Sequence, residues 1–83
     1  MRLTVEVTQQ DIERGSLIEC RSCPVALALQ RATGREVEVA GPWFIFANSR
    51  RHFNLPESVR DFVAQFDSGV AVQPFSFEIE AQP

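Results

Sequence analysis

The sequence contains no tyrosine and no lysine, and among its 83 residues it has one tryptophan, one histidine and two cysteines. Every basic residue is therefore arginine, and the joint absence of lysine and tyrosine points to a GC-rich genome, which concerns origin and not activity. Two cysteines form a single Cys-x-x-Cys, half of what a four-ligand zinc site requires, with no second pair to complete it. A lone histidine has no serine or cysteine nucleophile at a spacing that forces the two together. No glycine-rich phosphate loop, paired-carboxylate motif or zincin-type helix is present. The opening MRLTVEV carries charge throughout and lacks an apolar run of about 7 to 15 residues, so no signal peptide or anchor is expected and the protein is expected in the cytoplasm where it is made.

What is present suits one compact domain over residues 1–83. Hydrophobic residues make up 45% and charged residues 23% of the chain, ordinary values for a folded domain and far from those of disorder or a membrane span. A chain this short buries about 60% of its unfolded surface, which leaves little volume for an enclosed active site. Net charge is −3, from 8 basic and 11 acidic residues. That balance is too mild to repel nucleic acid and too acidic to seek it.

Patterning along the chain predicts the order β-α-α-β-β-β-α-β. Leu3, Val5 and Val7 alternate with Arg2, Thr4 and Glu6, the period of a half-buried strand. Thr8 then reads as the N-cap of a short helix that stops at Gly15. After a loop at 16–22, Pro24 opens an apolar helix to Ala32, capped by Ser22 or Cys23 and ended at Thr33-Gly34; apolar on nearly every side, it is expected at the centre of the fold. Val37 and Val39 alternate within a strand over 35–40, broken by a turn or bulge at Gly41-Pro42. Trp43 to Phe46 is strongly β-prone, Asn48-Ser49 is turn chemistry, and 51–55 returns as a hairpin. From Pro56, Val59, Phe62, Val63 and Phe66 mark one face of a helix closed by Gly69. Phe75, Phe77 and Ile79 mark a last strand beginning at Pro74. The fold class is α+β: a mostly antiparallel sheet of four to five strands with two main helices and one short helix on one face.

Two constellations could carry function. The first is Cys20-Arg21-Ser22-Cys23-Pro24 leading into a helix. A thiol there faces the positive end of the helix dipole, which favours thiolate, so Cys20 and Cys23 could form a redox or metal module with His52 as a further ligand. Thioredoxin-like enzymes, however, place this motif directly after a buried strand, and here a loop precedes it. The other reading is structural, with Cys23 packed in the core and Cys20 in a polar loop. The second constellation is Ser49-Arg50-Arg51-His52 beside Trp43 and Phe44. Aromatic and basic residues on a sheet are the ingredients of single-stranded nucleic-acid binding through a 43–53 hairpin. Trp43, Phe44 and Phe46 cannot all be exposed, however, without starving the core.

At Asp11-Ile12-x-x-Gly15, Cys23-Pro24-Val25-Ala26-Leu27-Ala28 and Pro74-Phe75-x-Phe77-x-Ile79-Glu80, the chain resembles a family of small uncharacterised proteins of tailed phages, prophages and some bacterial genomes. The resemblance spans most of the chain, and Cys-Pro-x-Ala-x-Ala is its most specific part. It implies a phage context and carries no catalytic residue across; the family pattern does not demand Cys20. Phage genomes encode many small single-domain proteins that bind and block a host component, anti-CRISPR and other counter-defence inhibitors among them, and the chain is similar to that class in size and context. The expectation is a non-enzymatic protein without cofactor, a monomer or small homo-oligomer that docks on a host or phage protein. About 800 Å² of its surface would be used. Arg21 in the 16–22 loop and Arg50, Arg51 and His52 at the hairpin tip are the first candidates, with Glu36, Glu38, Glu78 and Glu80 as an acidic surface.

Overall fold

A computed structural model describes residues 2–17 and 19–80. Met1 of the first segment and Ile18 of the 16–22 loop lie outside the described residues. The elements run β1 (Arg2–Val7), α1 (Gln9–Arg14), α2 (Pro24–Thr33), β2 (Val37–Ala40), β3 (Trp43–Phe46), β4 (His52–Asn54), α3 (Glu57–Asp67) and β5 (Phe75–Glu80). This is the α+β order expected from the patterning. The strands, however, are divided between two antiparallel sheets and do not join in one: β1 with β5, and a β2-β3-β4 meander. Helix α2 links the two sheets, since it packs against both β1 and β2.

Register sets which side chains turn inward. In the terminal pair, Val5 lies opposite Phe77 and Leu3 opposite Ile79, so the apolar halves of both strands share one face. In the meander, Val39 lies opposite Phe44 and Phe44 opposite Phe53. Between these two inner faces, α2 buries Pro24, Val25, Ala26, Ala28 and Leu29. The helix that is apolar on most sides is the one with neighbours on most sides. Helix α3 supplies Val59, Phe62 and Phe66 to the same core, and Phe62 meets Phe75 of β5 with ring centroids 4.7 Å apart.

Local chemistry fixes the element ends. Thr8 accepts from the Asp11 N–H through its hydroxyl, while the Asp11 carboxylate accepts from the Thr8 N–H. This reciprocal capping box satisfies two donors that a helix start leaves open. At the other end of α1 the backbone passes so close to α2 that a β-carbon on Gly15 would lie 2.6 Å from Pro24 Cδ. No side chain fits there, so glycine is required for that helix pair to pack. Between β2 and β3, Gly41 takes φ 61°, the positive first position of a two-residue hairpin turn, and Pro42 fixes the second.

Asp11 is the one buried charged residue described, at 5% exposure. It is paired bidentately: Arg31 of α2 donates to Oδ1 and Oδ2, each at 2.8 Å, and also to the Glu6 carbonyl at 2.7 Å. One guanidinium thereby ties β1, α1 and α2 together. Burial raises the Asp11 carboxyl, but the hydrogen bonds from Arg31 and Thr8 and the Arg31 charge outweigh it and hold the group below its ordinary value.

Two outcomes follow from this packing. Truncation of Phe62 to alanine is expected to cost about 3 to 5 kcal/mol in urea unfolding, a large share of the stability of a small domain; a loss below about 1 kcal/mol would place that helix face outside the core. For Asp11 the native pKa is depressed. Its contribution is therefore fully present above the unfolded carboxylate value and disappears as pH falls through the native one. Asp11→Asn should lower the melting temperature near neutrality, and its deficit against the natural protein should narrow as pH falls below the ordinary carboxylate range. A deficit independent of pH would show that the carboxylate charge is not what the pair uses.

Candidate functional site

The strand period that buries one face of the meander displays the other. Phe44 and Phe46 turn inward, and Trp43 and Ile45 turn outward. Cross-strand pairing then places Glu38 beside Ile45, Ala40 beside Trp43, Ile45 beside His52 and Trp43 beside Asn54, so these six residues form the outer face. Trp43 is 37% exposed and its indole lies against His52 with ring centroids 4.8 Å apart, a diagonal contact typical of long side chains on one sheet face. The terminal sheet offers a contrast: its outer residues Arg2, Thr4, Glu6, Ser76, Glu78 and Glu80 are polar. Only one of the two sheets displays a large ring to solvent.

Arg21 borders the aromatic face. Its Nε donates to Glu38 Oε1 at 2.7 Å, which joins the 16–22 loop to β2. Gln30 of α2 fixes the same corner by donating to the Arg21 and Val37 carbonyls at 2.9 and 3.2 Å. At the far end, Ser49 Oγ accepts from the Arg51 N–H at 3.1 Å and Asn48 adopts φ 66°, a conformation asparagine tolerates better than most residues. Arg50, Arg51 and His52 are all exposed, but they do not point one way. His52 joins Trp43 on the outer face, whereas the Arg51 guanidinium lies 5.4 Å from the centroid of inward-turned Phe53. Arg35, not singled out from sequence, does the same at 4.5 Å from the Phe46 centroid. The two cations thus lid the rim of the core. Among the described residues neither Arg50 nor Arg51 has an ion-pair partner.

The cysteines occupy a different place. Cys23 is the N-cap of α2, and its Sγ accepts the Ala26 N–H at 3.4 Å; of the two caps considered from sequence, the thiol is the one used. Cys23 is 4% exposed, whereas Cys20 is exposed and its carbonyl accepts the Val39 N–H at 2.7 Å along the edge of β2. Both line a cavity of about 340 Å³ whose wall includes Glu19, Arg60, Val63 and Asp67. Burial raises the Cys23 thiol pKa, and the hydrogen bonds from the Ala26 and Val25 backbone only partly oppose it. The lowering expected from the helix dipole does not prevail, because desolvation of a thiolate is the larger effect at so enclosed a site.

His52 is not among the residues lining that cavity. Among the described residues, no group of three or more histidine, cysteine, aspartate or glutamate side chains is arranged to hold a metal ion. Arg60 of the cavity wall gave no signal in sequence, since its helix spacing reads only as the polar side of α3. The exposure of Trp43 could have been read from its odd step relative to Phe44 and Phe46. Comparison of the chain with protein-family models, curated proteins and solved structures finds no match.

The accessibility difference predicts that a thiol reagent applied to the native reduced protein modifies Cys20 much faster than Cys23. Both should react at similar rates once the chain is unfolded. Equal rapid labelling in the native state would contradict the burial of the N-cap thiol.

Proposed function

We propose that this is a non-enzymatic binding protein, of the small phage-encoded type, that docks onto a host or phage protein through the outer face of the β2-β3-β4 sheet and the adjoining hairpin tip. The observation that carries this reading is Trp43. A strand in a domain with so little core displays its largest ring, held against His52, while the outer face of the second sheet is polar. Tryptophan and arginine are the residues on which binding energy most often concentrates, and Arg50 at the tip and Arg21 at the opposite border supply planar cations. The chemistry fits a protein surface with an apolar recess for the indole and a carboxylate opposite Arg50. Within this reading, blocking a host defence component, as an anti-CRISPR protein does, is the action that best suits a small domain of phage type with no recognised catalytic constellation.

The test is affinity capture of a partner from infected or lysogenic cells, followed by titration of that purified partner with variants. Trp43→Ala should weaken binding by about 30-fold, the effect of a roughly 2 kcal/mol anchor. Charge reversal at Arg50 and Arg51 together should weaken it at least about tenfold with the fold preserved, since loss of the Arg51 contact with Phe53 costs only about 0.5 to 1 kcal/mol. Full affinity in both variants would remove this surface from the account. Tight binding of single-stranded DNA at physiological salt, abolished by the same substitutions, would replace the protein partner with a nucleic acid.

A further inference from the structure

The turn that carries the cysteines is helical. The Glu19 carbonyl accepts from the Ser22 N–H at 3.2 Å and from the Cys23 N–H at 3.0 Å, so residues 20 to 22 complete one turn before α2 begins. In helical geometry, positions three apart have Cα atoms roughly 5 Å apart, inside the range of about 4.4 to 6.8 Å that disulfides span. Both residues also line one cavity of about 340 Å³. Backbone and cavity therefore bring Cys20 and Cys23 together, and their exposures give the pair an order: one thiol is open to solvent and the other sheltered behind it.

We propose that Cys20 and Cys23 are a thiol pair that closes into an intramolecular disulfide by exchange with a low-molecular-weight disulfide of the glutathione type. Cys20 gives up its proton and attacks one sulfur of the small disulfide, forming a mixed disulfide and expelling one thiolate. Cys23 gives up its proton and attacks Cys20 Sγ, forming the Cys20–Cys23 bond and expelling the second thiolate. Two protein thiols are oxidised, the small disulfide is reduced to two thiols, and the two protons pass to the departing sulfurs. The cavity gives the small molecule room beside both cysteines. Arg60 in its wall offers a cation to the carboxylates of such a molecule, with Glu19 and Asp67 bounding where they can sit. Oxidation engages the sulfur that accepts the Ala26 N–H, so it acts on the start of the central helix. The inference stands apart from the binding role of the outer sheet face.

The test incubates the reduced 83-residue chain with oxidised glutathione, quenches with acid and maps the peptide containing residues 20–23 by mass spectrometry. The natural protein should lose the mass of two hydrogens in that peptide without accumulating an adduct. Cys23→Ser, which keeps a good N-cap residue, should instead retain a glutathione adduct on Cys20. Cys20→Ser should stay reduced over the same interval. Accumulation in the natural protein of the Cys20 adduct, or of a disulfide-linked dimer, to the extent seen in Cys23→Ser would overturn the proposal. Mapping of the natural protein alone decides the point should either variant fail to fold.

Discussion

Burial of α2 between two sheets that share no ladder is the constraint from which the other features follow. A two-stranded sheet and a three-stranded sheet are each marginal alone, since each needs its apolar face covered. Helix α2 serves both, packing against β1 and against β2. To do so it must be small and apolar on most faces, as Pro24, Val25, Ala26, Ala28 and Leu29 make it. It must also lie close to its neighbours, and the absence of a β-carbon at Gly15 permits that approach. Its polar residues are used as fasteners: Arg31 holds Asp11 and the Glu6 carbonyl, and Gln30 holds the Arg21 and Val37 carbonyls. One helix thereby fixes where both sheets sit.

That division of labour leaves two outer sheet faces of opposite chemistry. The β1-β5 face is a solvated surface, and its Arg2–Glu78 pair at 3.7 Å is exposed at both ends, an arrangement that contributes little to stability. The meander face carries Trp43, Ile45, Ala40 and His52 between two arginine-bearing borders. Inside the molecule, Phe44, Phe46 and Phe53 form a ring cluster with centroids 5.3 to 5.7 Å apart, so the inner face is already filled with aromatic side chains. Trp43 is thus displayed because the strand period sends it outward, and its position there is what the proposed interface uses.

Periodicity made most of the fold legible, and pairwise geometry was what it lacked. The alternation of Leu3, Val5 and Val7, the α3 stripe through Val59, Phe62 and Phe66, and the Thr8 cap all express local rules that a single segment can satisfy. The division of the strands into two sheets is different, because it depends on how segments distant in sequence, β1 and β2 among them, pack against α2. The Asp11–Arg31 pair joins residues 20 apart, and the contact between Gly15 and Pro24 joins two helix ends across a loop; neither has a local signature. The candidate site was legible in the same proportion. Arg21, Arg50, Arg51 and His52 were identifiable as exposed and polar, whereas the turning of Arg51 toward Phe53 and of His52 toward Trp43 required the strand faces to be known. For the cysteines, loop and helix start were evident from Pro24. The dominance of burial over the helix dipole at Cys23 depends on how fully that thiol is enclosed.

The central claim is that the meander's outer face is the working surface of this protein. Hydrogen exchange of the free chain against the chain bound to its captured partner tests it most directly, because amide protection maps contact without altering a residue. The account predicts added protection across residues 38–54, centred on Trp43 and His52, with the β1-β5 pair unchanged. Protection confined to β1 and β5, with 38–54 exchanging as in the free protein, would contradict it.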